Sequence, residues 1–181
     1  MALFNKITKL TSAKVSEVIE GMLEYYSNDS FFESHANTYK VEDYLKPHLD
    51  EQIPALIEHG HSYEYKGNFI CSCDVDNFVE EYGEIAERYF SVVSPFLREI
   101  KRENNKVAYI GNMSPKNGNS TNDMFMLFEH VRDYWLDRGY TIFIDSPTND
   151  EYEALYKNRY AKNVIIFAGK PYFRWSPVMR K

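Results

Sequence analysis

At 181 residues the chain is long enough to bury one substantial core and shorter than two ordinary domains require, so residues 1–181 are expected to form a single domain. Apolar residues at 44% and charged residues at 27% exclude a disordered chain. The net charge of −6, with no basic run longer than two residues, speaks against a nucleic-acid-binding face.

No apolar stretch approaches the roughly 18 residues of a membrane span, and the first ten residues lack the apolar region of a signal peptide. The expectation is an intracellular protein without membrane contact, in the cytoplasm of a cell or, for a phage-encoded chain, in the host cytoplasm or virion. Fifteen Tyr and twelve Phe imply a core of large rings whose hydroxyls need partners. Cys71 and Cys73 are too close along a strand for an ordinary disulfide, which fits a reducing compartment.

Leu3 to Leu10 reads as an edge strand. Thr11 or Ser12 caps a helix with Val15, Val18, Ile19, Met22 and Leu23 at helical spacing. A second helix runs from Val41 to about Glu58, with Tyr44, Leu45, Leu49, Ile53, Leu56 and Ile57 on one side; Pro47 lies in its first turns and Pro54 is expected to kink it. Ser62 to Val75 alternates as a β-hairpin around Lys66-Gly67-Asn68, with Tyr65 opposite Phe69. From Val79 to Ile100 the helical period returns in Tyr82, Ile85, Tyr89, Val93, Phe96, Leu97 and Ile100, as one long helix bent at Pro95 or a broken pair.

The remainder is the most regular part. Lys106 to Met113 reads as a strand, and Ser114 to Asn119 as a loop. A helix then starts at Ser120-Thr121-Asn122-Asp123, carries Met124, Leu127, Phe128, Val131 and Trp135, and stops at Gly139. Tyr140 to Ile144 is a buried strand, Asn149 to about Arg159 a short helix, and Val164 to Ala168 a last strand. Strand-helix-strand-helix-strand implies an α/β fold with a largely parallel arrangement and covering helices.

This order of elements resembles the GNAT (N-acetyltransferase) superfamily over Lys106 to Trp175, the acyl-CoA-binding-like core, with a weaker match across the N-terminal strand, helix pair and hairpin. In that family a strand enters a loop of pattern R/Q-x-x-G-x-G/A and then a long helix, and a later helix bears N-x-x-A-x-x-L-Y. Asn149-Asp-Glu-Tyr-Glu-Ala-Leu-Tyr156 keeps the Asn and the Leu-Tyr at family spacing, with the Ala displaced. The resemblance implies a GNAT-like mixed sheet with flanking helices, plus an extra helical insertion over 79–103 between the third and fourth strands, where the family has a tight turn. That insertion is a candidate surface for a protein partner or a homo-oligomer, and equally a cover for the sheet.

The implied activity is transfer of an acetyl or acyl group from acyl-CoA to an amine, with acetyl-CoA as co-substrate. Consecutive N–H groups at a helix N-terminus can surround a pyrophosphate, and the resemblance assigns that role to Asn117, Gly118, Asn119, Ser120, Thr121 and Asn122, with Asn149 from the second motif. Here Ser120 and Asn122 replace the two small residues of the family loop, and a plain helix cap explains Ser120 to Asn122 equally well. Tyr156 matches the tyrosine that protonates the departing thiolate; a phenol of pKa about 10 stays protonated at neutral pH. A core or rim tyrosine is the competing reading. The strand from Val107 to Met113 offers no carboxylate as general base, which leaves Glu33, Asp74 and Asp76 as substitutes only in that they lie in segments that could border the substrate cleft.

The same hairpin reading places His61 opposite Cys73, with His59 and Cys71 one step away on the same side, but side chains two apart on a strand lie about 7 Å from one another, too wide for ordinary chelation. No metal is expected. Two functions remain open: an acyltransferase, or a catalytically inactive protein of the same fold serving as a phage, virion or host-interaction module.

Overall fold

The computed structural model describes residues 6–27, 41–116, 118–144, 162–167 and 170–177. The chain divides into two compact units, Met1–Cys71 with Asn112–Leu127, and Ser72–Gly111 with Phe128–Lys181. Seven strands follow the order β1-β2-β3-β4-β5-β7-β6.

In the first unit, β1 (Thr8–Lys9) pairs antiparallel with β2 (Ser62–Tyr65), which pairs antiparallel with β3 (Asn68–Asp74). A 3-10 turn at Ser12–Lys14 leads into α1 (Val15–Ser27), and α2 (Val41–His59) packs against α1. α2 continues through both Pro47 and Pro54. Its buried side is Leu49, Ile53, Leu56 and Ile57, whereas Tyr44, expected on that side, is half exposed. Val18, Ile19 and Met22 of α1 complete this core. Gly21, on the next face of α1, lets the helix approach the sheet: a Cβ there would sit 2.9 Å from the Phe69 ring.

The hairpin register differs from the expected one. Tyr65 faces Asn68 and Ser62 faces Cys71, so the turn is only Lys66-Gly67. Both residues have positive φ, 52° and 82°, as a two-residue turn matching the strand twist requires. A one-residue slip moves every side chain to the other face. Tyr63 and Tyr65 therefore share a face with Ile70 and Asn68, not with Phe69 and Cys71.

In the second unit the expected long helix is three: α3 (Val75–Tyr82), α4 (Glu84–Tyr89) and α5 (Ser94–Glu103). Gly83 at φ 49° ends the first of them. Their apolar stripe is spent on the unit's own core: Tyr89 and Phe90 pack on Tyr109, and Phe96 on Phe143 and Tyr172, with ring centroids 5.6–6.0 Å apart.

Strand β4 (Val107–Ser114) pairs parallel with β5 (Thr141–Ile144), from Val107 opposite Thr141 to Ile110 opposite Ile144. Strand β6 (Lys162–Phe167), expected as the last, is followed by β7 (Lys170–Trp175), which lies antiparallel between β5 and β6. The sheet is therefore mixed, with one parallel pairing, β4 to β5, among those described here, rather than largely parallel. Helix α6 (Thr121–Asp137) connects β4 to β5 and contributes to both cores, Met124, Phe125 and Leu127 to the first and Phe128, Val131 and Trp135 to the second. It stops where Gly139, at φ 85°, takes the left-handed conformation and Tyr140 N–H donates back to Trp135 O. Asn104 ties this end down, its amide donating to Gly139 O at 3.0 Å and to Thr141 Oγ1 at 3.1 Å. Among the described residues no helix is long and apolar enough to cross a membrane.

Candidate functional site

The loop between β4 and α6 is built against the hairpin turn of the same unit. Asn68, the first residue of β3, is fully buried. Its Oδ1 accepts the backbone N–H of Lys116 at 2.7 Å and the Asn119 side-chain amide at 3.3 Å, and Asn119 also donates to Lys66 O at 2.7 Å. Lys66 Nζ reaches Asp123 Oδ1 at 3.4 Å. The turn that fixes the hairpin thus also fixes the loop. Asn68 Nδ2 is buried with no hydrogen-bond partner among the described residues. An orphaned buried donor is costly.

Of the residues proposed to hold a pyrophosphate, Gly118 to Asn122 lie together at the start of α6. Gly118 has φ 89° and open space where a side chain would go. Ser120 caps the helix, its Oγ accepting the Asp123 N–H at 3.3 Å. Asn119 N–H is bonded to Lys116 O, whereas the N–H groups of Gly118, Ser120, Thr121 and Asn122 have no hydrogen bond among the described residues. Free donors at the N-terminus of a 17-residue helix carry the positive end of its dipole. A diphosphate fits this loop: the backbone approaches solvent at Gly118, and the donors are unspent. Asn117, Asn149 and Tyr156 lie outside the described residues, as does Glu33.

The two described carboxylates considered as general bases are committed elsewhere in the second unit. Asp74 caps α3, accepting Asn77 N–H at 3.2 Å, and accepts the Tyr140 hydroxyl at 2.6 Å. That bond to Asp74, together with burial, pushes the Tyr140 phenol up to about 12. Asp76 pairs with Lys101 at 2.5 Å. At the hairpin, burial pushes the Cys71 thiol up to about 12 despite its hydrogen bond with Ser62. The His59 and His61 rings meet edge to face at 5.0 Å. Among the described residues no group of three or more His, Cys, Asp or Glu could hold a metal ion.

A pocket of about 220 Å³ opens beside the loop, in the same unit. One wall is the face of α1 that carries Glu17, Glu20, Gly21, Glu24 and Tyr25; the other is Gly67 and Phe69 of the hairpin with Ser114, Pro115 and Lys116. Sequence reasoning did not single out Asn68, Ser114 or this acidic face, although the i, i+3, i+7 spacing of the three glutamates is visible in the sequence.

No protein-family model matches the sequence, and no curated protein matches it. Solved structures do match. The C-terminal condensation domain of Ebony, in complex with beta-alanyl-dopamine, is similar with a TM-score of 0.66 at 12% identity over 94% of this chain and 98% of that one. Arylalkylamine N-acetyltransferase 2 from Aedes aegypti is similar with a TM-score of 0.62 at 10% identity over 95% and 98%. PaiA N-acetyltransferase from Thermoplasma acidophilum, in complex with coenzyme A, is similar with a TM-score of 0.58 at 11% identity over 94% and 98%. The chain has the fold of the GNAT N-acetyltransferases.

Proposed function

We propose that this GNAT-fold chain is an N-acyltransferase that moves an acyl group from an acyl-CoA to an amine. The observation that carries the reading is the loop at the start of α6, held by buried Asn68 and presenting the N–H groups of Gly118, Ser120, Thr121 and Asn122 without a partner among the described residues. Donors fixed before the ligand arrives lose little entropy on binding it. The acyl-CoA supplies a thioester: the amine nitrogen bonds to the carbonyl carbon, the carbon–sulfur bond breaks, the Tyr156 hydroxyl gives its proton to the departing sulfur, and the proton released by the amine nitrogen restores Tyr156. The chain's part is to hold the diphosphate at residues 117–122, with Asn149 as a further contact, and to supply that acid.

Similarity to a structure bound to coenzyme A supports the co-substrate. The second reading, a binding or host-interaction module without activity, is favoured by Ser120: its hydroxyl is already spent on capping α6. The test is release of free thiol from acetyl-CoA in the presence of an amine panel. Turnover that falls at least about a hundredfold in Tyr156→Phe supports the acyltransferase, in line with the usual size of general-acid catalysis. No thiol release with any amine supports the inactive module.

A further inference from the structure

Lys66 occupies a place that its residue type disfavours. In the two-residue hairpin turn it adopts φ 52°, beside Gly67 at φ 82°. Such turns favour Asn or Gly there, because at positive φ a Cβ crowds the backbone carbonyl. Nothing in the turn offsets that strain. The Lys66 ammonium lies 3.4 Å from Asp123 Oδ1 and 5.4 Å from the centre of the Tyr65 ring, and an exposed ion pair of that length contributes little. Strain kept at a charged side chain points to a use for the charge.

That charge stands at the start of α6. Asp123, the partner of Lys66, lies in the first turn of the helix and donates its N–H to Ser120 Oγ. Beside it are the N–H groups of Gly118, Ser120, Thr121 and Asn122, which have no hydrogen bond among the described residues. Left alone, the Asp123 carboxylate would repel an anion on those donors; Lys66 cancels it. A further observation is independent of both the lysine and the helix terminus. Asn68 is fully buried and its amide faces the loop, Oδ1 accepting Lys116 N–H and the Asn119 amide. Its Nδ2 has no hydrogen bond among the described residues. An unused amide donor on the inner side of the loop leaves the potential there positive, the sign that an anion on the loop neutralises.

We propose that Lys66 contacts a ligand phosphate: its ammonium leaves Asp123 for a phosphate oxygen at the start of α6, so that the hairpin turn and the helix terminus share the anion. The movement is small. Lys66 Nζ already reaches the third residue of the helix, and its flexible four-carbon stem lets the ammonium turn toward the loop donors. A phosphate, with more charge and more acceptor oxygens than one carboxylate, displaces an exposed pair of 3.4 Å. An acyl-CoA offers this chemistry twice, in its diphosphate and in the phosphate on its ribose. The identity of the ligand rests on the acyltransferase reading; the anion site at the turn does not.

The experiment is calorimetric titration of the full chain with CoA and, separately, with 3′-dephospho-CoA, together with thermal unfolding without ligand. Lys66→Asn suits the turn better than the lysine does. It should bind CoA about tenfold more weakly, the size of losing a hydrogen bond between charged groups, with a ligand-free Tm unchanged or raised by up to about 4 °C. Lys66→Arg, which keeps the charge, should stay within about threefold of the parent. Arg102→Gln, at an exposed position of α5, removes the same charge and should leave the affinity unchanged. Equal weakening toward both ligands assigns Lys66 to the diphosphate, and weakening toward CoA alone assigns it to the ribose phosphate. Equal CoA affinity in Lys66→Asn and the parent, or an equal loss in Arg102→Gln, overturns the proposal and leaves the acyltransferase standing. A loss of affinity with a Tm lowered by several degrees also overturns it, since Lys66 is then structural. A parent that binds neither ligand sinks both readings. Lys66-dependent binding with no thiol release from acetyl-CoA and any amine keeps the anion site and sinks the acyltransferase.

Discussion

Asn68→Ala probes the joint between hairpin and loop. The side chain is fully buried and its Oδ1 accepts two donors, Lys116 N–H at 2.7 Å and Asn119 Nδ2 at 3.3 Å. Asn119 keeps its 2.7 Å bond to Lys66 O after the change, so the main loss is the Lys116 bond. An orphaned donor costs about 1–3 kcal/mol. Against this, the substitution removes Nδ2, which has no partner among the described residues, and relieves part of that cost. The expected net destabilisation is about 1–2 kcal/mol, a lowering of Tm by roughly 2–8 °C for a chain of this size. Urea unfolding followed by circular dichroism measures it. Acetyl-CoA should protect the variant less than the parent, because the loop N–H groups are no longer held in place. A loss below about 0.5 kcal/mol, the scale of an ordinary surface substitution, together with undiminished protection by acetyl-CoA, would refute the claim that Asn68 organises the loop.

Tyr140→Phe removes the 2.6 Å bond to Asp74 and with it a pH dependence. The folded phenol is raised to about 12, above the unfolded value of about 10. Its stabilising contribution is therefore full below pH 10 and lost as pH rises through 12, and the slope of stability in that window should flatten in the variant. Cys71 is fully buried with its thiol pushed up to about 12, and Cys73 is equally buried. Labelling by a thiol reagent at mildly alkaline pH should therefore be as slow as opening of the structure and should accelerate with urea. Gly111→Ala would drive a Cβ into the Tyr89 hydroxyl and to 2.6 Å from the Tyr109 ring, so it should destabilise by about 1–3 kcal/mol. Calorimetric unfolding measures that loss.

Periodicity exposed α1, α2, β4, α6 and β5 because each buries one continuous face, such as Val18, Ile19 and Met22. It failed where a single residue decides. Lys66 adopts φ 52°, a conformation its residue type rarely takes, so the two-residue turn was not legible and the register slipped by one. Gly83 breaks a stripe that continues in helical phase across it, which is why three helices read as one or two. β7 was missed because Pro171, in its second position, argues against a strand, yet at Ile166–Pro171 the pairing with β6 tolerates it. At the site, the helix cap and loop at 118–122 were legible from Ser, Thr, Asn and Gly placement. The anchor was not, since Asn68 lies 48 residues from Lys116 and only the fold joins them.

The central claim is that the loop at the start of α6 binds acyl-CoA, and the thermal stability of the chain with and without acetyl-CoA tests it most directly. A ligand that binds only the folded state at about one hundred times its Kd stabilises by about 2.7 kcal/mol, a rise of roughly 5–10 °C in Tm at this size. The account predicts such a rise, reduced in Asn68→Ala. An unchanged Tm at millimolar acetyl-CoA would contradict it.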